Sequence, residues 1–259
     1  MKTPPEAGIA LTDLEAYLDS TLKLSEFKDY PNALNGLQVE NSGRVTKIAA
    51  AVDACEATLA DAAREGADLL LVHHGLFWGG LTPLTGAAYR KVRIAMENNL
   101  AVYSAHLPLD AHPDFGNNAL LCAALGLKRH REPFLEVQGR PIGLVVEEEI
   151  NREILRSRIE SAVGGHVVLA PGGPVSTRRI GVVTGGAGDA VGRAAEDGVD
   201  TFITGEGPHW CYTAAEEAGV NLFLAGHYAT ETFGVKALAE HLAKRFRIDA
   251  VFLDHPTGL

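Results

Sequence analysis

The stretch KIAAAVDACEATLADAAREGADLLLVHH, residues 47–74, decides the fold of this chain. Residues 47–54 are mostly apolar and predict a strand, and residues 56–65 predict a helix that ends at Gly66. Residues 68–73 form an apolar run that is too continuous for a strand with one face in water, so they predict a buried strand. Strand, helix and strand in this order form a βαβ unit, which predicts a parallel sheet. A helix at 89–98 and a buried strand at 100–105 extend the pattern.

The same pattern occurs a second time. Residues 48–78 align with residues 180–210 without a gap, and the identical pairs are Ile48/Ile180, Ala62/Ala194, Ala63/Ala195, Gly66/Gly198, Asp68/Asp200, Gly75/Gly207 and Trp78/Trp210. Residues 100–106 then align with residues 221–227. Shared hydrophobic patterning of α/β units is the alternative explanation of these identities. We favour an internal repeat, and the predicted fold is α/β with two related halves whose sheets are parallel or mixed.

The chain divides by sequence character into three predicted segments. Residues 1–125 form the first α/β half, residues 126–179 a connecting lobe without a repeat partner, and residues 180–259 the second half. The first half opens with TDLE at 12–15, a capping-box pattern that predicts a surface helix capped by Thr12.

Composition and charge exclude several classes of protein. The 259 residues include 23 Lys and Arg against 33 Asp and Glu, a formal charge of −10 that argues against a nucleic-acid partner. Cys55, Cys122 and Cys211 are odd in number and far apart, which favours neither a disulfide framework nor a thiolate zinc site. Residues 1–15 lack the apolar core of a signal peptide, so we expect the cytoplasm. The uncharged stretch 69–89 is interrupted by histidine, glycine and proline, so we expect no membrane span.

Histidines follow the predicted strands of both halves. His73 and His74 end one strand, His106 ends the next, and His227 ends a strand of the second half. In open parallel sheets ligands bind outside the carboxyl ends of the strands, so we expect a metal site at these ends, between the lobes. The donor set contains imidazoles and carboxylates but no thiolate, which suits Zn²⁺, Mn²⁺, Fe²⁺, Co²⁺ or Ni²⁺.

His106 and His227 are each followed, four residues later, by an acidic residue. Asp110 follows His106 in a stretch that Pro108 predicts to be a loop, and Glu231 follows His227 where a helix begins, so that both share one helix face. So many donors exceed the three protein ligands of a single catalytic zinc and favour two ions per chain. The alternatives are ordinary ones: hydrogen-bonded core histidines, a loop-capping aspartate and a first-turn glutamate.

The glycine-rich segment TGGAGD at 184–189 follows a strand and precedes a helix. Such a segment can cradle a phosphate, but it lacks a full nucleotide-binding motif. Close backbone packing is the favoured interpretation.

Five motifs together carry a family resemblance: LVHHGLFW at 71–78, SAHLPLDAH at 104–112, GNN at 116–118, TGE at 204–206 and GHYATE at 226–231. In this combination and order the chain resembles the Nif-three-like family, whose members are often labelled GTP cyclohydrolase I type 2 homologues. Gly75 stands where many members have proline, which predicts a looser loop there.

The resemblance implies a dinuclear metal centre, with the ligands His73, His74, Asp110, His227 and Glu231. It places Glu231 as the bridging ligand and His106 in the pocket beside the metals. It also implies a two-lobed protomer that assembles into a toroidal homohexamer with its sites facing an inner cavity.

Two functional hypotheses follow. The first is a dinuclear metal-dependent hydrolase acting on a small, anionic or nucleotide-like substrate, GTP cyclohydrolase type 2-like by resemblance, with His106 as proton shuttle or substrate donor. The second is a metal-binding scaffold or regulatory protein without turnover. An open coordination position beside a cleft favours the enzyme, and a site closed by protein ligands favours the scaffold.

Overall fold

A computed structural model describes residues 8–78, 80, 82–127 and 131–259. The strands in chain order are β1 (Ile9–Ala10), β2 (Gly36–Val39), β3 (Arg44–Val45), β4 (Lys47–Asp53), β5 (Leu69–His74), β6 (Ala101–Ser104), β7 (Arg131–Val137), β8 (Arg140–Asn151), β9 (Val168–Pro171), β10 (Ser176–Val182), β11 (Thr201–Thr204), β12 (Asn221–Leu224) and β13 (Asp249–Phe252). The α-helices are α1 (Leu11–Leu22), α2 (Glu56–Arg64), α3 (Gly86–Glu97), α4 (Leu107–Asp110), α5 (Asn117–Ala124), α6 (Arg152–Val163), α7 (Val191–Glu196), α8 (Cys211–Ala218) and α9 (His227–Phe246).

The chain forms two compact units. Unit 1 comprises the described residues of Met1–Leu109 together with Val235–His255, and unit 2 comprises those of Asp110–Gly234 together with Pro256–Leu259.

Unit 1 is built on a five-stranded sheet in the order β13-β4-β5-β6-β2. Strands β13, β4, β5 and β6 are parallel, and β2 pairs antiparallel with β6. The middle of each central strand is apolar and buried, as expected of parallel strands that are covered on both faces. Leu59, Leu70, Val72, Leu100 and Val102 are fully buried in the core that packs helix α2 on this sheet.

Unit 2 is built on a six-stranded sheet in the order β7-β8-β10-β11-β12-β9. Strands β10, β11 and β12 are parallel, whereas β7, β8 and β9 pair antiparallel. Ile180, Val182, Ile203 and Phe223 are buried on this sheet with Leu155 of helix α6.

The predicted α/β fold with two related halves and mixed sheets is confirmed. The aligned segments form the same element series, β4-α2-β5 followed by β6 in unit 1 and β10-α7-β11 followed by β12 in unit 2. In each unit these strands lie side by side in a parallel run.

The units differ from the three segments predicted by sequence character. Residues 126–179 contribute β7 and β8 on one side of the β10-β11-β12 run and β9 on the other. Backbone groups on the edges of a parallel run need hydrogen-bond partners, and these strands supply them. The predicted connecting lobe is therefore part of the sheet of unit 2.

Two local predictions are wrong. Helix α1 begins at Leu11 after the extended N-cap Ala10, so Thr12 lies inside the first turn and cannot cap the helix. The stretch before Asp110 is the short helix α4 rather than a loop, because Pro108 lies in its first turn, where a missing N–H breaks no helical hydrogen bond.

In the part of the chain that the structure describes, every helix is too short or too polar to cross a membrane.

Candidate metal centre

Three histidines meet at one edge of the sheet of unit 1. Strand β5 ends with His73 and His74, and His106 lies two residues after the end of its parallel neighbour β6. The ring centroids are 4.8 Å apart for His73 and His74, 4.9 Å for His73 and His106, and 5.5 Å for His74 and His106. One nitrogen from each ring lies within 4.8 Å of the other two, so this cluster could hold a metal ion.

The Nδ1 atom of each ring is held by an oxygen. His73 Nδ1 donates to the carbonyl of Ala105 at 2.8 Å, and His74 Nδ1 donates to the carboxylate of Asp53 at 2.8 Å. His106 Nδ1 lies 3.0 Å from both carboxylate oxygens of Asp29. An imidazole that donates through Nδ1 carries its lone pair on Nε2, which is how metal-binding histidines are commonly oriented.

Asp29 is a buried carboxylate at the centre of a hydrogen-bond network. Besides His106 it accepts hydrogen bonds from the Asn35 side chain at 2.8 Å and from the backbone N–H groups of Tyr30 and Leu107. Burial alone raises the pKa of Asp29, but the hydrogen bond and charge of His106 and the other donors outweigh burial and hold that pKa below its usual value. Asp29 is therefore ionised at neutral pH and accepts the hydrogen bond that orients the His106 ring.

The loop after His74 is held by Gln38. The Gln38 side chain accepts a hydrogen bond from the Leu76 N–H at 2.7 Å and donates to the Leu34 carbonyl at 2.6 Å. A Cβ atom at Gly75 would lie 2.3 Å from the Gln38 amide nitrogen. Because Gly75 has no side chain, the Gln38 amide can pack directly against its backbone.

Unit 2 presents a histidine and a glutamate on the first turn of α9. His227 Nε2 lies 3.1 Å from a carboxylate oxygen of Glu231, as the predicted sharing of one helix face requires. His227 Nδ1 donates to Glu206 at 2.9 Å. Burial lowers the pKa of His227, but the hydrogen bonds and charges of Glu231 and Glu206 raise it to about 9.

Gly185 leaves the space that Glu231 occupies. Gly185 has a φ of +71°, and a Cβ atom there would lie 2.2 Å from Glu231 Oε1. Its N–H donates to the hydroxyl of Thr230 at 3.0 Å. The glycine-rich segment thus packs closely against the start of α9, as the favoured interpretation predicts.

Asp110 is held by the asparagine pair of α5. The Asn117 side chain donates to the Asp110 carboxylate at 2.8 Å and accepts from the Gly234 N–H at 2.6 Å. The Asn118 side chain donates to the Asp110 carbonyl at 3.2 Å and accepts from the Thr184 N–H at 2.8 Å. Both asparagines are buried, so this network sets the position of the carboxylate.

The carboxylates of unit 2 lie close together. An oxygen of Asp110 lies within 4.8 Å of an oxygen of Glu231, and both side chains are buried. Two carboxylates that are buried at this distance repel each other unless a cation or a proton lies between them. The structure therefore brings Asp110, His227 and Glu231 together in unit 2, and His73, His74 and His106 together in unit 1.

Comparisons with known proteins identify the family. The model of the family described as Duf34/NIF3 (NGG1p interacting factor 3) matches residues 9–257. The chain belongs to the DUF34/NIF3 family. Relatives in this family include a Deinococcus radiodurans protein named GTP cyclohydrolase 1 type 2 homolog, which is 42% identical over 253 residues, 97% of this chain and 95% of its own. A Halobacterium salinarum protein of the same name is 42% identical over 255 residues, 96% of this chain and 99% of its own.

A solved structure supports the same membership. The crystal structure of a Thermus thermophilus protein is 39% identical, with a TM-score of 0.88 over 97% of this chain and all of that chain. The resemblance of the sequence motifs to the Nif-three-like family is therefore confirmed. Within this DUF34/NIF3 chain, sequence reasoning missed Asp29 and Asp53, which orient histidines, and it found Glu206 in the TGE motif without assigning it this role.

Proposed function

We propose that this DUF34/NIF3 protein is a hydrolase that uses two divalent metal ions, with the ligands His73, His74, Asp110, His227 and Glu231. Glu231 would be the bridging ligand, the role that the sequence resemblance implies for it. The observation that carries the proposal is the fixed orientation of the imidazoles, each of which is held through Nδ1 by a carbonyl or a carboxylate.

The donor set fits divalent ions of borderline character. It combines neutral imidazoles and carboxylates without a thiolate, which suits Zn²⁺, Mn²⁺, Fe²⁺, Co²⁺ or Ni²⁺. Bound divalent ions would supply a water of lowered pKa and would polarise the bond that is attacked. The buried carboxylates Asp110 and Glu231 would gain the cation that offsets their mutual repulsion.

His106 has the catalytic role in this proposal. Its Nδ1–H is held by the ionised Asp29, so Nε2 is the atom that accepts a proton from the reacting group and returns it to the leaving group. The negative charge of Asp29 stabilises the imidazolium that exists between these two steps.

The substrate in this proposal is small and anionic or nucleotide-like. Metal ions would let a chain with a formal charge of −10 accept an anion. The relatives named GTP cyclohydrolase 1 type 2 homolog make GTP the first compound to test. We propose further that the protein acts in the cytoplasm as a toroidal homohexamer, the assembly that the sequence resemblance implies.

Metal content tests the site and the class together. Metals are quantified by mass spectrometry in natively purified wild-type protein, in Glu231→Ala and in a control variant, Glu217→Ala, which removes an exposed acid of α8. We expect about two ions per chain in the wild type and in Glu217→Ala, and fewer in Glu231→Ala. Each protein is then assayed against a panel of hydrolase substrates that includes GTP.

The outcomes separate the two functional hypotheses. Turnover that is lost together with the metal supports the hydrolase. Two ions without turnover across the panel would favour a metal-binding scaffold, and wild-type protein without metal after reconstitution would refute the site itself.

A further inference from the structure

Two exposed aromatic side chains lie against the buried His106. The Trp78 ring meets the His106 ring edge to face, with centroids 4.6 Å apart and an interplanar angle of 86°. The Tyr30 ring lies 6.0 Å from the His106 ring at 43°. His106 is only 7% exposed, whereas Trp78 is 43% and Tyr30 46% exposed. Single exposed aromatic residues are common, but here two of them lie next to the same buried imidazole.

Hydrogen bonds of the site also hold the backbone at Tyr30 and near Trp78. The Tyr30 N–H donates to Asp29 at 2.6 Å, and Asp29 holds His106. Trp78 is two residues beyond Leu76, whose N–H donates to Gln38 at 2.7 Å. A fixed backbone beside both rings reduces the conformational entropy that is lost when a ligand stacks on them.

We propose that Tyr30 and Trp78 form the binding surface for a nucleobase, which stacks on these rings beside His106. This inference rests on the proposed function, because it assigns the substrate class of the same site. Aromatic side chains stack on bases without sequence preference, and such contacts strengthen binding by about five- to a hundred-fold per base. The His106 imidazole is within reach of the same surface and gives it a polar edge.

A cationic ligand is the main alternative occupant of an aromatic surface. Here the Trp78 ring lies beside His74, a proposed metal ligand, as well as beside His106, and bound metal ions would place positive charge next to it. A quaternary ammonium group would be repelled by those charges, whereas a neutral planar base would not. The chemistry around the rings therefore favours the nucleobase.

Tryptophan fluorescence can report binding at this surface directly. The chain contains two tryptophans, Trp78 and Trp210, so a Trp210→Phe variant has Trp78 as its single tryptophan. This variant, loaded with metal, is titrated with guanosine, adenosine and cytidine, and with ribose as the probe that lacks a base. We expect saturable quenching by at least one nucleoside and none by ribose. A folded protein that shows no saturable quenching with any of the three nucleosides overturns the inference.

Calorimetry of alanine variants then assigns the contact. Trp78→Ala and Tyr30→Ala should bind the same nucleoside about tenfold more weakly, and Trp78→Phe and Tyr30→Phe should retain most of the affinity. Trp210→Ala is the matched control, because Trp210 is the repeat counterpart of Trp78, is 52% exposed and should bind as the wild type does. Equal affinity in Trp78→Ala and the wild type overturns the inference.

These binding measurements need no turnover, so they are independent of the hydrolase assay. Nucleoside binding with metal bound but no hydrolysis of any substrate would refute the proposed function and leave this inference standing. Hydrolysis of a substrate without a base, in a protein that binds no nucleoside, would overturn this inference alone.

Discussion

Both carboxylate oxygens of Asp29 lie 3.0 Å from Nδ1 of His106, although 77 positions separate the two residues in the chain. The Asp29 side chain is 4% exposed and that of His106 is 8% exposed, so water weakens this contact little. The pair gives His106 a defined tautomer and a neighbouring negative charge. This is the arrangement in which a carboxylate orients a histidine that moves protons.

Replacing Asp29 with asparagine should slow turnover without removing the metal. The amide keeps the shape of the side chain but removes the charge that stabilises the His106 imidazolium, so we expect kcat to fall by about 10²- to 10⁴-fold. Metal content, measured by mass spectrometry, should equal that of the wild type. Unchanged kcat in Asp29→Asn would show that the charge of Asp29 does not assist proton transfer by His106.

Asp53→Asn is the matched comparison for Asp29→Asn, and we expect it to weaken metal binding. Asp53 holds Nδ1 of His74, a proposed ligand, in the way that Asp29 holds His106. Loss of such an orienting carboxylate typically weakens metal binding about ten- to a hundred-fold. Metal affinity, measured by competition with a chelator, should fall in Asp53→Asn and stay unchanged in Asp29→Asn. The reverse pattern would exchange the roles proposed for His74 and His106.

The internal repeat is the part of the fold that the sequence predicts, and the identical pair Asp68/Asp200 shows why. Asp68 accepts hydrogen bonds from the N–H groups of Thr46 and Lys47, and Asp200 accepts them from those of Arg178 and Arg179. Each aspartate precedes the second strand of its unit and accepts hydrogen bonds from the backbone at or near the N-terminal end of the first strand. Because this contact depends on a side chain at one position of a βαβ unit, it leaves an identity in the alignment.

The acids that orient the histidines have no comparable pattern in the sequence. Asp29 and Asp53 are isolated acids that contact His106 and His74 only after folding brings distant segments together. Strand pairing in residues 126–179 was hidden for the same reason, because the partners of β8 and β9 are strands β10 and β12 further along the chain. Local periodicity predicts elements, but it does not predict which sheet edge an element joins.

Metal affinity should increase with pH up to about pH 9. The pKa of His227 is raised to about 9 by Glu231 and Glu206, so in the metal-free protein at pH 7 its imidazole carries a proton that a metal ion must displace. Below pH 9 this single proton makes the apparent affinity about tenfold higher per pH unit, and above pH 9 its contribution ends.

Chelator competition at several pH values measures this dependence. Glu206→Gln removes one of the groups that raise the pKa of His227, so in that variant the affinity should level off at a lower pH. The same affinity at pH 7 and pH 9 in the wild type would show that His227 does not lose a proton on metal binding.

Gly185→Ala should displace Glu231 and lower metal content. The new Cβ atom would lie 2.2 Å from Glu231 Oε1, and the φ of +71° at this position is unfavourable for alanine. We expect the free energy of unfolding to decrease by about 1–3 kcal/mol, because the strained backbone and the shifted buried side chain both destabilise the folded state. Gly192→Ala is the control: Gly192 lies in α7, its added Cβ would meet no atom within 4 Å, and alanine favours a helix. Denaturant unfolding and metal analysis of both variants test the prediction. If Gly185→Ala kept the stability and the metal content of the wild type, the assignment of Glu231 as a ligand in this position would be contradicted.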